Sequence, residues 1–134
     1  MSLYFYQTSL GRIALAEEGE RLTNFHFQGE APADQPVRET PLLREAHAQL
    51  AQYLAGRLRV FDLPLAPRGS EFMRRVWEEL LKLPFGQTAS YSQLAASLGQ
   101  PRAARAVGLA NHRNPLPVFI PCHRVLGKDG RLTG

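Results

Sequence analysis

Residues 114–125 read NPLPVFIPCHRV, and this stretch decides how the rest of the 134-residue chain is interpreted. It holds Cys122, the only cysteine of the chain. Its three prolines fix the backbone φ angle and remove three amide donors, and the apolar run Val118-Phe119-Ile120 predicts a short buried strand. We therefore expect a rigid, shaped and mostly dry backbone around the cysteine.

The thiol of Cys122 supports two interpretations. A thiol is a nucleophile only as its thiolate, and an adjacent imidazole or backbone N–H groups favour that form. His123 and Arg124 follow directly in the sequence. A free cysteine also behaves as a small buried hydrophobic residue, and the spacing of these residues does not decide between the two interpretations.

A family resemblance bears on that choice. Asn114-Pro115, a short apolar run and then Pro121-Cys122-His123-Arg124-Val125 resemble the active-site signature of the O6-alkylguanine-DNA alkyltransferases. The similarity extends upstream to about Ser70. It implies that Cys122 accepts an alkyl group, that His123 takes the thiol proton through a water, and that Asn114 braces the turn before the active-site segment. It also places Val125 in the pocket for the target base, where backbone carbonyls near Cys122 and Val125 would read the guanine amino group.

The charge of the chain is unevenly distributed. Residues 1–66 hold 6 Lys and Arg against 8 Asp and Glu, whereas residues 67–134 hold 10 against 4, so the net charge of +4 comes from the half that contains the cysteine. A basic half favours a polyanionic partner such as nucleic acid, although any single surface charge is more often simply solvated.

Composition also bears on the cellular compartment, the membrane contacts and the cofactors that we expect for this protein. A single cysteine excludes an internal disulfide, and no charged and then apolar leader opens the sequence, so we expect a reducing, cytoplasmic location. No run of about 18 apolar residues is present, so we expect no membrane contact. We further expect a monomer that needs no cofactor. A metal site is not expected, because His26 and His47 have no second cysteine or carboxylate cluster near them.

The amino-terminal half predicts a small α/β lobe. Short aromatic and β-branched runs separated by glycine-containing turns predict a three-stranded antiparallel meander at residues 4–8, 12–16 and 21–27. Residues 28–41 predict a surface loop, and an amphipathic helix capped by Thr40 ends at Gly56. An extended connector at residues 60–67 places the domain boundary, giving lobes 1–66 and 67–134.

The carboxyl-terminal half predicts a mainly helical lobe. Ser70 opens a helix whose Trp77-centred apolar stripe is typical of a core face, and Pro84-Phe85-Gly86 stops it. A short helix at residues 92–98, a turn at Gly99 and a second helix from Pro101 to about residue 110 predict a helix-turn-helix. The fold class is thus α+β, with a winged-helix-like second lobe.

The second of these helices carries almost only small side chains. Arg102 and Arg105 alone could reach base edges, so the helix is poorly suited to reading a major groove and better suited to close approach in a narrow one. Tight helix–helix packing is the alternative explanation. The resemblance favours minor-groove binding with extrusion of the damaged base. The DNA-binding residues it implies are Tyr91, Arg102, Ala103, Ala104, Arg105 and Gly108.

Two of those residues receive specific roles from the resemblance. Arg105 matches the arginine that enters the base stack in place of the extruded nucleotide, which suits a planar guanidinium. Tyr91 matches the tyrosine that crowds the phosphate of that nucleotide and lines the base pocket. A core tyrosine with a bonded hydroxyl is the alternative for Tyr91.

The resemblance implies a single-turnover DNA-repair methyltransferase acting on double-stranded DNA that carries O6-alkylguanine, with O4-alkylthymine as a second substrate. The product, a thioether, is a poor leaving group, so the protein would be consumed. A reader of alkylated bases that transfers nothing and recruits other repair machinery is the second hypothesis, and a Cys-His hydrolase is the third. Family members carry a further segment after residue 134, so the second lobe is expected to be truncated at that end.

Overall fold

The computed structural model describes residues 1–122 and 125–126, and it divides the chain into two compact units, Met1–Pro67 and Arg68–Gly134. The first unit contains β1 (Ser2–Thr8), β2 (Gly11–Glu18), β3 (Arg21–His26) and α1 (Pro41–Leu54). The second contains α2 (Glu71–Leu81), β4 (Ala89–Ser90), α3 (Tyr91–Ser97), α4 (Ala104–His112) and β5 (Val125–Leu126). The α+β class and the arrangement of sheet and helices predicted from the sequence are confirmed.

The sheet of the first unit is an antiparallel meander in the order β1-β2-β3. Its first hairpin turns at Gly11, whose φ of 97° is a conformation that glycine adopts without steric cost. The loop after β3 returns to the sheet, because Leu3 donates its amide to the Pro36 carbonyl at 3.0 Å and accepts from Arg38 at 2.8 Å. The predicted surface loop therefore also satisfies the outer edge of β1.

Helix α1 begins where its sequence predicts. The Thr40 hydroxyl accepts the amide of Leu43 at 3.1 Å, which is the usual N-cap bond, and donates to the Glu17 carboxylate at 2.7 Å. The face that α1 buries carries Leu43, Ala46 and Leu50. The predicted connector does more than link the units, because Leu22 on β3 exchanges backbone hydrogen bonds with Pro64 and Ala66 at 2.9 and 2.7 Å.

The core of the second unit forms around Trp77 on α2. Ser70 caps this helix by accepting the amide of Met73, as predicted, and Trp77 is 1% exposed. Its indole Nε1 donates to the Ala110 carbonyl at 2.9 Å, in the last turn of α4. A carbonyl at that place has no partner within its own helix, so the tryptophan satisfies it and fastens α4 to α2.

The helix-turn-helix consists of α3 and α4. Helix α3 begins at Tyr91 with a complete capping box between Ser90 and Gln93, and Gly99 provides the turn with a φ of 73°. The predicted start of the second helix at Pro101 is wrong. The chain first makes a turn in which the Ala103 amide donates a hydrogen bond to the Gln100 carbonyl, and α4 begins at Ala104 after this turn.

Two further elements concern the cysteine segment. Strands β4 and β5 pair in parallel, with Ala89 opposite Val125 and Ser90 opposite Leu126. The short strand predicted at residues 118–120 is wrong, because Val118 and Phe119 form a turn between Pro117 and Ile120. Proline on both sides removes the amide donors that a strand would need.

No helix in the described part of the chain is long and apolar enough to cross a membrane.

Candidate functional site

The loop before Cys122 is closed by the side chain of Asn114. Its amide Nδ2 donates to the Ile120 carbonyl at 2.9 Å, and its Oδ1 accepts the amide of Leu116 at 2.9 Å. The Ile120 amide in turn donates to the Leu116 carbonyl at 2.9 Å. One side chain thus joins both ends of the loop, and Leu116 and Ile120 are fully buried beneath it.

Val118 at the tip of this loop has a φ of 75°. A β-branched residue in that region is a steric outlier that persists only where surrounding contacts impose it. The hydrogen bonds made by Asn114 and Ile120 span the tip and supply that constraint. The loop is therefore held in one shape at some local cost.

Cys122 follows the loop directly and is largely buried, with 8% of its surface exposed. Its amide donates to the Ile120 carbonyl at 2.8 Å, which is a tight turn that fixes the start of its side chain. The thiol is free. His123 and Arg124, which the sequence places beside it, lie outside the described residues, as does the side chain of Val125.

The parallel pairing of β4 and β5 brings the cysteine segment to the helix-turn-helix. Val125, three positions after Cys122, lies opposite Ala89, and Tyr91 begins α3 two positions after Ala89. Residues more than thirty positions apart in sequence are thereby neighbours in the second unit. The predicted base-pocket residues Tyr91 and Val125 thus belong to adjacent segments.

A groove lies between the start of α3 and the exposed side of α4. It brings together four of the predicted DNA-binding residues and two serines that the sequence analysis missed; its lining is Ser90, Tyr91, Ser92, Ala104, Arg105 and Gly108. Ser90 could have been found from the capping box that it forms with Gln93, and Ser92 from its place in the first turn of α3. The groove is thus a short channel between a tyrosine and an arginine.

The other two predicted residues lie elsewhere. Arg102 and Ala103 line a second, more open groove with Gln100 and Pro101, in the turn before α4. Ala103 is the N-cap of α4 and has a non-helical backbone, so both residues precede the helix.

The exposed cations of this region are available to a ligand. Neither Arg102 nor Arg105 forms an ion pair with a residue that the structure describes. Both side chains are exposed, and α4 lacks an acidic residue in its first turn. Because the positive end of the α4 dipole adds to their charge, this surface favours an anionic partner. Within residues 1–122, no group of three or more metal-ligating side chains is present.

Comparison with known proteins agrees with this geometry. Residues 71–134 match the family model described as "6-O-methylguanine DNA methyltransferase, DNA binding domain", and residues 1–67 match "6-O-methylguanine DNA methyltransferase, ribonuclease-like domain". The chain belongs to the 6-O-methylguanine DNA methyltransferase family. The sequence resemblance to the O6-alkylguanine-DNA alkyltransferases is confirmed.

Relatives within this family are similar over nearly the whole chain. The constitutive methylated-DNA–protein-cysteine methyltransferase of Bacillus subtilis is 44% identical over 96% of this chain and 82% of its own length. The enzyme of that name from Methanosarcina acetivorans is 45% identical over 96% of this chain and 85% of its own. The structure of Mycobacterium tuberculosis OGT in complex with DNA superposes with a TM-score of 0.90 at 40% identity, covering 100% of this chain and 83% of that one.

Proposed function

We propose that this protein repairs DNA by moving an alkyl group from O6 of guanine to the sulfur of Cys122, once per molecule. The observation that carries the proposal is the pairing of β4 with β5, which joins the segment of the free thiol to the helix-turn-helix. A nucleophile and a DNA-binding motif are thereby parts of one site. The relatives named as methylated-DNA–protein-cysteine methyltransferases support the same reaction.

The reaction is a direct displacement. The Cys122 thiolate attacks the alkyl carbon, a carbon–sulfur bond forms, and the carbon–oxygen bond breaks with its electron pair passing to guanine O6. Guanine then takes up a proton, and the protein keeps a thioether. We assign the removal of the thiol proton to His123 through a water, on the family resemblance, because histidine exchanges protons near neutral pH. The bonds, electrons and protons of this reaction balance without a cofactor.

The constrained loop prepares the thiol for displacement. Asn114 and the tight turn at Cys122 hold the sulfur in a mostly dry site, so little reorganisation is needed as charge moves from sulfur to oxygen. Val125 lines the base pocket in this assignment. Thus residues 67–134 form the DNA-binding and alkyl-acceptor lobe, and residues 1–66 form the α/β lobe.

The groove between α3 and α4 receives the DNA backbone and the extruded nucleotide. Small side chains at Ala103, Ala104 and Gly108 let α4 approach a minor groove, and Arg102 contacts phosphate. Arg105 fills the base stack after extrusion, and Tyr91 crowds the phosphate of the flipped nucleotide. The partner is double-stranded DNA bound by a monomer, and a cytoplasmic location follows from the same function.

Mass spectrometry after mixing with an O6-methylguanine duplex tests the transfer. We expect one methyl group per molecule, located on Cys122, and none in Cys122→Ser or Cys122→Ala. Turnover beyond one equivalent, or transfer in either variant, would refute the proposal. A reader of alkylated bases that transfers nothing needs no thiol, so Cys122 argues against that second hypothesis, and binding without any methyl transfer by the unaltered protein would support it.

The role of Arg105 is tested by comparing two substrates. Arg105→Ala should slow transfer from the duplex far more than transfer from free O6-methylguanine, because only the duplex requires a stack filler. Arg74→Ala is the matched control, since it removes the same charge from an exposed position on α2. Equal losses on both substrates would show that Arg105 does not act on the base stack.

A further inference from the structure

The ring of Tyr91 lies against α4 at Gly108. A Cβ atom placed on Gly108 would be 3.2 Å from Cε2 of that ring and 3.5 Å from both Cδ2 and Cζ. The first distance is shorter than about nine in ten contacts that real Cβ atoms make. Any side chain at residue 108 would therefore push the tyrosine ring by a few tenths of an ångström.

The backbone conformation of α4 does not require a glycine at position 108. Gly108 lies in the interior of α4, its φ is not positive, and glycine there costs about 1 kcal/mol of helix stability relative to alanine. A glycine that is unfavourable locally indicates a requirement from outside the helix. The atoms that occupy the space of its missing side chain belong to Tyr91.

The rest of Tyr91 is fixed by its own helix. It is the first residue of α3, and the capping box of Ser90 and Gln93 holds the backbone on which it stands. Gly108, which faces the Tyr91 ring, lies three positions after Arg105, so both residues are on one face of α4. The groove therefore contains the tyrosine ring, the glycine and the arginine together.

We propose that Gly108 is a positioning residue for Tyr91, beyond any clearance it gives to DNA. Without a side chain at residue 108, the tyrosine ring lies close enough to α4 for its hydroxyl end to meet the phosphate of the target nucleotide. This inference rests on the proposed function, because the readout is methyl transfer. A methyl group at residue 108 displaces the ring and weakens extrusion of the base, while the thiol chemistry at Cys122 is untouched.

A double-mutant cycle separates this role from simple clearance of DNA. The variants are Gly108→Ala, Tyr91→Ala and the pair of both, and the measurement is the single-turnover rate of methyl transfer from an O6-methylguanine duplex and from the free base. Gly108→Ala should lower the duplex rate about tenfold, a loss typical of small misplacements at a reacting site, and lower the free-base rate by a smaller factor, because the free base needs no extrusion from a stack. In the Tyr91→Ala background, Gly108→Ala should have no further effect.

The results that would overturn this inference differ from the result that would refute the proposed function. If Gly108→Ala slows the Tyr91→Ala protein as much as the unaltered one, the glycine serves DNA clearance and the inference is overturned. An unchanged duplex rate in Gly108→Ala also overturns it. If Gly108→Ala fails to fold, as judged by circular dichroism, the inference requires the double variant to fold again. Absence of methyl transfer in the unaltered protein would instead refute the proposed function.

Discussion

Trp77→Phe tests whether α4 is held by the indole hydrogen bond to the Ala110 carbonyl. That carbonyl belongs to a residue only 1% exposed, so losing the donor leaves a buried acceptor unsatisfied, at a cost of about 1–3 kcal/mol. The smaller ring also removes about two buried carbon atoms, at roughly 0.8 kcal/mol each. We therefore expect the free energy of unfolding to fall by about 2.5–4.5 kcal/mol.

The assay is urea unfolding followed by far-ultraviolet circular dichroism, because the substitution removes the only tryptophan and with it the fluorescence signal. With a typical urea dependence of about 1–3 kcal/mol per molar, the midpoint should fall by roughly 1–2 M. Leu81→Ala is the control on the same helix, since Leu81 is 44% exposed and its loss should cost less than about 1 kcal/mol. A loss below 1 kcal/mol in Trp77→Phe would show that the indole does not hold α4.

Three further changes test separate parts of the structure. Gly69→Ala places a Cβ atom 2.6 Å from the Trp77 ring and should cost about 1–3 kcal/mol of unfolding free energy, measured by tryptophan fluorescence in urea; a neutral result would contradict this packing. Asn114→Ala removes both bonds that close the cysteine loop, so methyl transfer should slow by about tenfold or more on the duplex and on the free base alike. A loss on the duplex alone would assign Asn114 to DNA binding. Burial lowers the pKa of His26, so the unfolded chain binds a proton more readily than the folded one, and unfolding free energy should fall as pH drops below about 6.5. His26→Gln should reduce that pH dependence; a profile identical to that of the unaltered protein would show that His26 does not cause it.

Local rules of sequence determined most of the first unit and the ends of several helices. The meander follows from alternating runs between glycine turns, and Thr40 and Ser70 cap helices because a hydroxyl can satisfy an amide two or three residues ahead. These interactions span a few residues, so the sequence itself reveals them. The motif around Cys122 likewise identified the family from contiguous residues.

Contacts between distant residues were decided only by the tertiary structure. Nothing local indicates that the indole of α2 donates to the last turn of α4, that β4 pairs with β5, or that the ring of Tyr91 occupies the space of a side chain missing at Gly108. The cysteine loop was mispredicted for the same reason. Val118 has strand propensity, but it lies at the tip of a loop that the side chain of Asn114 closes, and its φ there is 75°. Contacts within the folded chain can override the conformational preference of a single residue.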